Sequence, residues 1–139
     1  MQITDLIPQR APFLFLDDII ETEKDRLISR FTFREDLDFF KGHFPSNPIV
    51  PGVILNEACF QSAAALISLQ SEGESSDLAV VSRIQNAKFK QIVRPGETIL
   101  IETQISEQLG NAAYFKSIVK NAENKKVLTI EFACTLVKE

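Results

Sequence analysis

The sequence predicts an α+β domain in which a curved antiparallel sheet wraps one long central helix. Three observations carry that expectation. Residues 53–69 are mostly apolar, with no proline and no glycine after Gly52; the run is too long for a strand and apolar on too many sides for a surface helix. After it, about four segments read as strands, the clearest alternating apolar and polar residues with the period of two that marks a half-buried strand. Two strand-like segments precede it. One buried helix among strands is best accommodated by a sheet folded over it.

Residues 13–33 are rich in Ile, Leu and Phe and are broken by Glu21-Thr-Glu-Lys-Asp-Arg26, which reads as a turn between two strands. In the second strand Leu27, Ser29, Phe31 and Phe33 fall on one side, and Ile28, Arg30, Thr32 and Arg34 on the other. Residues 37–51 form a loop whose prolines at 45, 48 and 51 suit an extended, polyproline-like path. The helix follows over 52–70, and the polar stretch 71–77, with Gly73, ends it. Residues 78–84 and 87–93 read as one extended region. Further strands are expected at 98–106, where Ile99, Ile101, Thr103 and Ile105 alternate, at 112–120 and at 127–137. Turns at 94–97, 109–111 and 121–126 separate them. With no internal repeat and no linker, residues 1–139 are read as one domain. Such a sheet leaves open edges and part of the helix uncovered, which predicts dimerisation.

A chain of 139 residues buries about two-thirds of its unfolded surface and sustains a core without disulfides or metals. Fifteen Lys and Arg against nineteen Asp and Glu leave a net charge of −4, which excludes a basic nucleic-acid footprint over the whole surface. Cys59 and Cys134 sit in apolar stretches without metal-ligand spacing, so they are expected to be buried thiols in a reducing compartment. No stretch approaches the ~20 apolar residues of a membrane span, and Met1-Gln-Ile-Thr-Asp5 lacks the features of a signal peptide. A cytoplasmic protein with no metal, cofactor, nucleic acid or membrane partner is expected.

The unusual residues concentrate between Gly42 and Gln61. His43, the one histidine, lies on a loop that enters the buried helix, and imidazole is a side chain suited to act as a base. Pro51-Gly52 opens that helix, leaving the N–H groups of Gly52, Val53 and Ile54 at its positive end as donors for a carbonyl oxygen. Glu57 and Gln61 share a helical face among apolar neighbours. A carboxyl group there acquires a raised pKa or a specific role. A near-neutral base, a carboxylic acid kept protonated by burial and donors for a carbonyl are the parts that remove a proton beside a carbonyl and expel a β-hydroxyl. The expected reaction is dehydration of a 3-hydroxyacyl thioester.

The sequence resembles the 3-hydroxyacyl-acyl carrier protein dehydratases of bacterial type II fatty acid synthesis, which have the hotdog fold. The resemblance runs through Arg10-Ala-Pro-Phe-Leu-Phe-Leu-Asp17, Gly42-His-Phe-Pro45, Pro48-Ile-Val-Pro-Gly-Val53, Glu57-Ala-Cys-Phe-Gln61 and Ile84-Gln-Asn-Ala-Lys-Phe-Lys90, followed by Pro95-Gly96. It implies that His43 is the base at C2 and that Glu57 acts on the C3 hydroxyl. Gly52 would bind the thioester carbonyl, Gln61 would orient Glu57, and Phe44, Pro51 and Val53 would join the substrate-binding set. It implies an acyl carrier protein as partner, a dimer whose two sites are each built from both chains, and often three such dimers together. Lys88, Lys90 and Arg94 suggest a basic rim for an acidic carrier. The chain departs from the family at Gln9-Arg10, where His-Arg is usual, at Val80, Val81 and Ser82, where an aromatic residue is usual, and at Arg83, where glycine is usual. An arginine at 83 is expected to narrow or re-route an acyl tunnel. A hotdog thioesterase, or a non-catalytic hotdog partner in a specialised lipid or polyketide pathway, stays open as an alternative. The His43 motif argues against the first, and the presence of both His43 and Glu57 against the second.

Overall fold

The computed structural model describes residues 2–71 and 78–138, so the expected turn at 71–77 lies, beyond Ser71, outside the described residues. Six strands form one antiparallel sheet: β1 (Asp18–Thr22), β2 (Arg26–Thr32), β3 (Leu78–Phe89), β4 (Thr98–Leu109), β5 (Ala112–Lys120) and β6 (Lys126–Val137), in the order β1-β2-β4-β5-β6-β3. Helix α1 (Gly52–Gln70) packs on one face, touching β2, β3, β4 and β5. Between β2 and α1 the chain makes a short 3-10 turn, Asp38–Lys41.

The alternation read from the sequence is the alternation observed. Leu27, Ser29, Phe31 and Phe33 are buried against α1, as are Ile99, Ile101 and Thr103 of β4. Phe15, Phe31 and Phe33 meet edge to face, with centroids 6.0 and 4.9 Å apart, a geometry that sets the positive ring edge against the negative face. On the outer face Arg26 pairs with Glu102, Glu21 and Glu23, and Arg30 pairs with Asp18.

Four details differ from expectation. Residues 13–17 lead into β1 without joining the sheet, and β3 ends at Phe89, so 90–93 is a connection. Bulges after Val81 and after Gln85 interrupt the β3–β6 ladder, the second with Asn86 in the left-handed region at φ 53°. Finally, α1 is by length and composition long and apolar enough to cross a membrane, contrary to the expectation that no stretch is. It is the core helix of this domain, with Leu55, Ala58, Cys59, Gln61, Ser62, Ala63, Ala65 and Leu66 buried.

The core also holds a buried polar pair between sheet and helix. Ser62 Oγ donates its single hydrogen to the Ala58 carbonyl at 3.0 Å, so the 2.7 Å contact with Ser29 has Ser29 as donor. Ser62→Ala therefore strands the buried Ser29 hydroxyl and should destabilise by about 1–3 kcal/mol. Ser29→Ala leaves Ser62 with its acceptor and should cost less. Urea denaturation of the two variants checks this asymmetry; equal losses would show that the hydroxyls are oriented otherwise.

Candidate active site

The loop before α1 is folded back on itself. His43 N–H donates to the Phe39 carbonyl at 3.0 Å, closing the 3-10 turn. Phe44 adopts φ 51°, Asn47 N–H reaches the Phe44 carbonyl at 2.8 Å, and Ile49 N–H reaches the His43 carbonyl at 3.4 Å. The extended path expected from the proline spacing is thus replaced by a tight turn. An extended run over residues 43–51 is therefore not what would keep His43 away from Glu57 of its own chain.

The imidazole is oriented by this turn. His43 Nδ1 lies 3.1 Å from the Ile49 carbonyl oxygen. A carbonyl only accepts, so in the neutral imidazole Nδ1 carries the proton and Nε2 the lone pair. The Phe44 ring lies against the imidazole with centroids 4.3 Å apart.

Pro51 precedes the helix without a side-chain cap. Its carbonyl takes the Ile54 N–H at 3.0 Å, so of the three N–H groups expected to be free, Ile54 is already engaged. Those of Gly52 and Val53 donate to no protein acceptor among the described residues. The Phe89 ring, from the end of β3, covers the Gly52 α-carbon so closely that an added Cβ would stand 3.0 Å from it. A Cβ at 52 would make the Phe89 ring give way by a few tenths of an ångström, so glycine is what allows the ring to lie this close. Val53 points to solvent at 71% exposure, and Phe44 is exposed as well.

Glu57 lies half-buried one turn into α1. Burial pushes its pKa up, and the hydrogen bond from Gln61 Nε2 to Glu57 Oε2, 3.1 Å long, pulls part of the way back. Gln61 is fully buried and held at both ends: Phe15 N–H donates to its Oε1 at 2.8 Å, and its Nε2 donates to the Phe13 carbonyl at 3.0 Å. Those contacts fix which end of the amide faces the carboxyl group. Cys134 lies close enough for the Glu57 charge to add to burial in raising its thiol to about 12.

The structure brings Glu57 and Gln61 together and sets Gly52 and Val53 at the helix entry, whereas His43 bonds to neither Glu57 nor Gln61. Sequence reasoning missed the backbone of Phe13 and Phe15, 48 and 46 residues from the amide they hold. It also missed the Ile49 carbonyl, a contact that depends on the turn. Arg83 is misplaced in the expectation. It stands opposite Ala133, on the face of β6 opposite to Phe132, whose ring meets Phe60 of α1 at 4.9 Å. It therefore lies outside the sheet beside Gln85, Tyr114 and Glu131 rather than over the helix. Arg10 is occupied locally, donating to the carbonyls of Thr4, Ile7 and Gln9.

One apolar helix on a six-stranded antiparallel sheet of this order is the hotdog fold. Over 100% of this chain and 93% of its counterpart, it matches a chain of the dehydratase heterocomplex ApeI:P from Xenorhabdus doucetiae, with a TM-score of 0.85 and 14% identity. Zebra fish thioesterase superfamily member 2 shares the fold at a TM-score of 0.67 and 14% identity, over 86% of this chain and 80% of that one. The family model for ApeI-like proteins, described as ApeI dehydratase, matches residues 19–131. The 3-hydroxyacyl-[acyl-carrier-protein] dehydratase FabZ of Rickettsia bellii is 37% identical over 122 residues, 86% of this chain and 83% of the relative. FabZ of Lactiplantibacillus plantarum is 41% identical over 113 residues, 79% of this chain and 75% of the relative. The chain belongs to the ApeI-like dehydratase family and is related to the FabZ enzymes across most of its length, so it is an enzyme of the 3-hydroxyacyl-[acyl-carrier-protein] dehydratase class.

The raised pKa of Glu57 has a consequence for stability. The native state holds its proton more tightly than the unfolded chain, so this group favours folding at low pH. That contribution is lost as pH rises from the ordinary value of 4.5 through the higher native value. Glu57→Gln should therefore melt higher than the parent at pH 8, and the gap should close below about pH 4. Melting curves across that range test it; a gap that widens on acidification would reverse the assignment.

Proposed function

We propose that the enzyme removes water from 3-hydroxyacyl thioesters carried on acyl carrier protein, giving trans-2-enoyl thioesters in cytoplasmic fatty acid biosynthesis. The orientation of His43 carries this reading: with Nδ1–H committed to the Ile49 carbonyl, Nε2 is the available base. In the proposed reaction Nε2 takes the C2 proton while the Gly52 and Val53 N–H groups hold the thioester oxygen, where negative charge develops. Protonated Glu57 gives its proton to the C3 oxygen as the C–O bond breaks, and water leaves. The C2–C3 double bond forms, leaving imidazolium and carboxylate, and a proton returning from His43 to Glu57 through solvent restores the enzyme. Burial of Glu57 supports its role as acid, since a carboxylic acid of ordinary pKa would hold no proton at neutral pH.

Each site is proposed to join His43 of one chain to Glu57 of a second. Support comes from what the single chain leaves uncovered: β3 is an edge strand, and Ile84, Phe89 and Val53 are exposed along it and at the adjoining helix entry. Apolar surface beside an unpaired strand edge marks an interface. Lys88 and Lys90, exposed at the end of β3, are proposed to meet the acidic carrier.

His43→Ala and Glu57→Gln should each fold and lose at least about a hundredfold in turnover. Mixing the two inactive proteins under subunit exchange should restore activity, because one heterodimer site is intact; confirmed exchange without recovery would place the site within one chain. Reversing Lys88 and Lys90 to Glu should raise KM for carrier-borne substrate more than KM for a small thioester. Equal effects would remove these lysines from the carrier contact.

A further inference from the structure

The tip of the His43 loop, residues 44–48, is tied to the rest of the molecule, among the described residues, by a single side-chain hydrogen bond. Arg94 Nη1 donates to Asn47 Oδ1 at 2.7 Å. The other bonds of the tip are internal to the loop, and beyond it Val50 N–H reaches the Val93 carbonyl at 2.8 Å. Arg94 therefore lies within the loop's support, although its place in the sequence suggested a free cation for a carrier.

The turn that bears Arg94 is well anchored. Gly96, at φ 91°, donates its N–H to the Phe33 carbonyl at 2.6 Å, and Phe33 N–H donates to the Glu97 carbonyl at 2.9 Å. Arg94 N–H is itself bonded to Glu97 Oε2 at 2.7 Å. This turn is thus pinned to the end of β2 from both sides and gives Arg94 a fixed base.

We infer that Arg94 is a positioning residue for the base, acting through Asn47. Asn47 sits in the short turn between Phe44 and Ile49, and Ile49 supplies the carbonyl that orients the imidazole. Holding Asn47 narrows the range of positions open to that carbonyl, and with it the direction of Nε2. A displacement of the base by a fraction of an ångström lowers the chemical step without altering substrate affinity. The inference rests on His43 being the base.

The test uses the intact enzyme and a 3-hydroxyacyl thioester of a small thiol, which needs no carrier contact. Arg94→Ala and Asn47→Ala should each lower kcat about three- to tenfold with KM unchanged, the scale of one lost hydrogen bond. The double variant should lose no more than either single one, since both remove the same contact. Arg94→Lys, which keeps a donor, should recover part of the loss. Additive losses, unchanged kcat, or an effect confined to KM with carrier-borne substrate would overturn the inference. If Arg94→Ala lowers the melting temperature, Asn47→Ala, which leaves the 93–97 turn intact, decides. His43→Ala assayed in parallel separates the two failures: an active His43→Ala removes the base itself, whereas an inactive one beside a fully active Arg94→Ala removes only the role of Arg94.

Discussion

A fully buried side-chain amide must find every hydrogen bond inside the protein, and Gln61 is such an amide. Its carbonyl and amino groups are met by the backbone of Phe13 and Phe15, and the remaining donor reaches Glu57. That requirement joins three parts of the molecule. The segment before β1 is held to the core helix, the amide cannot flip, and the carboxyl group beside it receives a donor from a known direction. Loss of any one contact would leave a polar group unpaired in a dry environment, which costs more than the bond itself contributes.

The same helix sets up two opposed electrostatic conditions within a few residues. At its entry Gly52 and Val53 present N–H groups that meet no protein acceptor among the described residues, favourable to negative charge. Further in, Glu57 is pushed toward its neutral form by burial. Opposite demands on charge are thus met by position along one helix, and glycine at 52 is what lets an aromatic ring close over the entry. The two thiols of the core, Cys59 and Cys134, are raised to about 12 by burial and are inert at neutral pH.

The faces of β2 and β4 and the long helix were legible because each depends on local periodicity. The Glu57–Gln61 pair was legible for the same reason, four residues being one helical turn. The path of the His43 loop was not. Three prolines at equal spacing suggested extension, but Phe44 takes a left-handed conformation and Asn47 and Ile49 close the turn across Pro45 and Pro48. Proline restricts its own φ and the residue before it, and neither restriction forbids a turn between two of them.

Arg83 shows the other limit. The bulge after Val81 changes which side of the sheet Arg83 faces, the bulge after Gln85 restores the original phase, and no pattern in the sequence announces either. By itself the sequence determined the elements, the buried faces and the residue types of the site, because these follow from spacing along one chain. The tertiary structure decided the tautomer of His43, the support of Gln61, the anchoring of Asn47 by Arg94 and the outward turn of Arg83. The supports of Gln61 and Asn47 join groups 46 to 48 residues apart, the tautomer depends on how the loop turns between His43 and Ile49, and the facing of Arg83 depends on a bulge, none of which periodicity along the chain fixes.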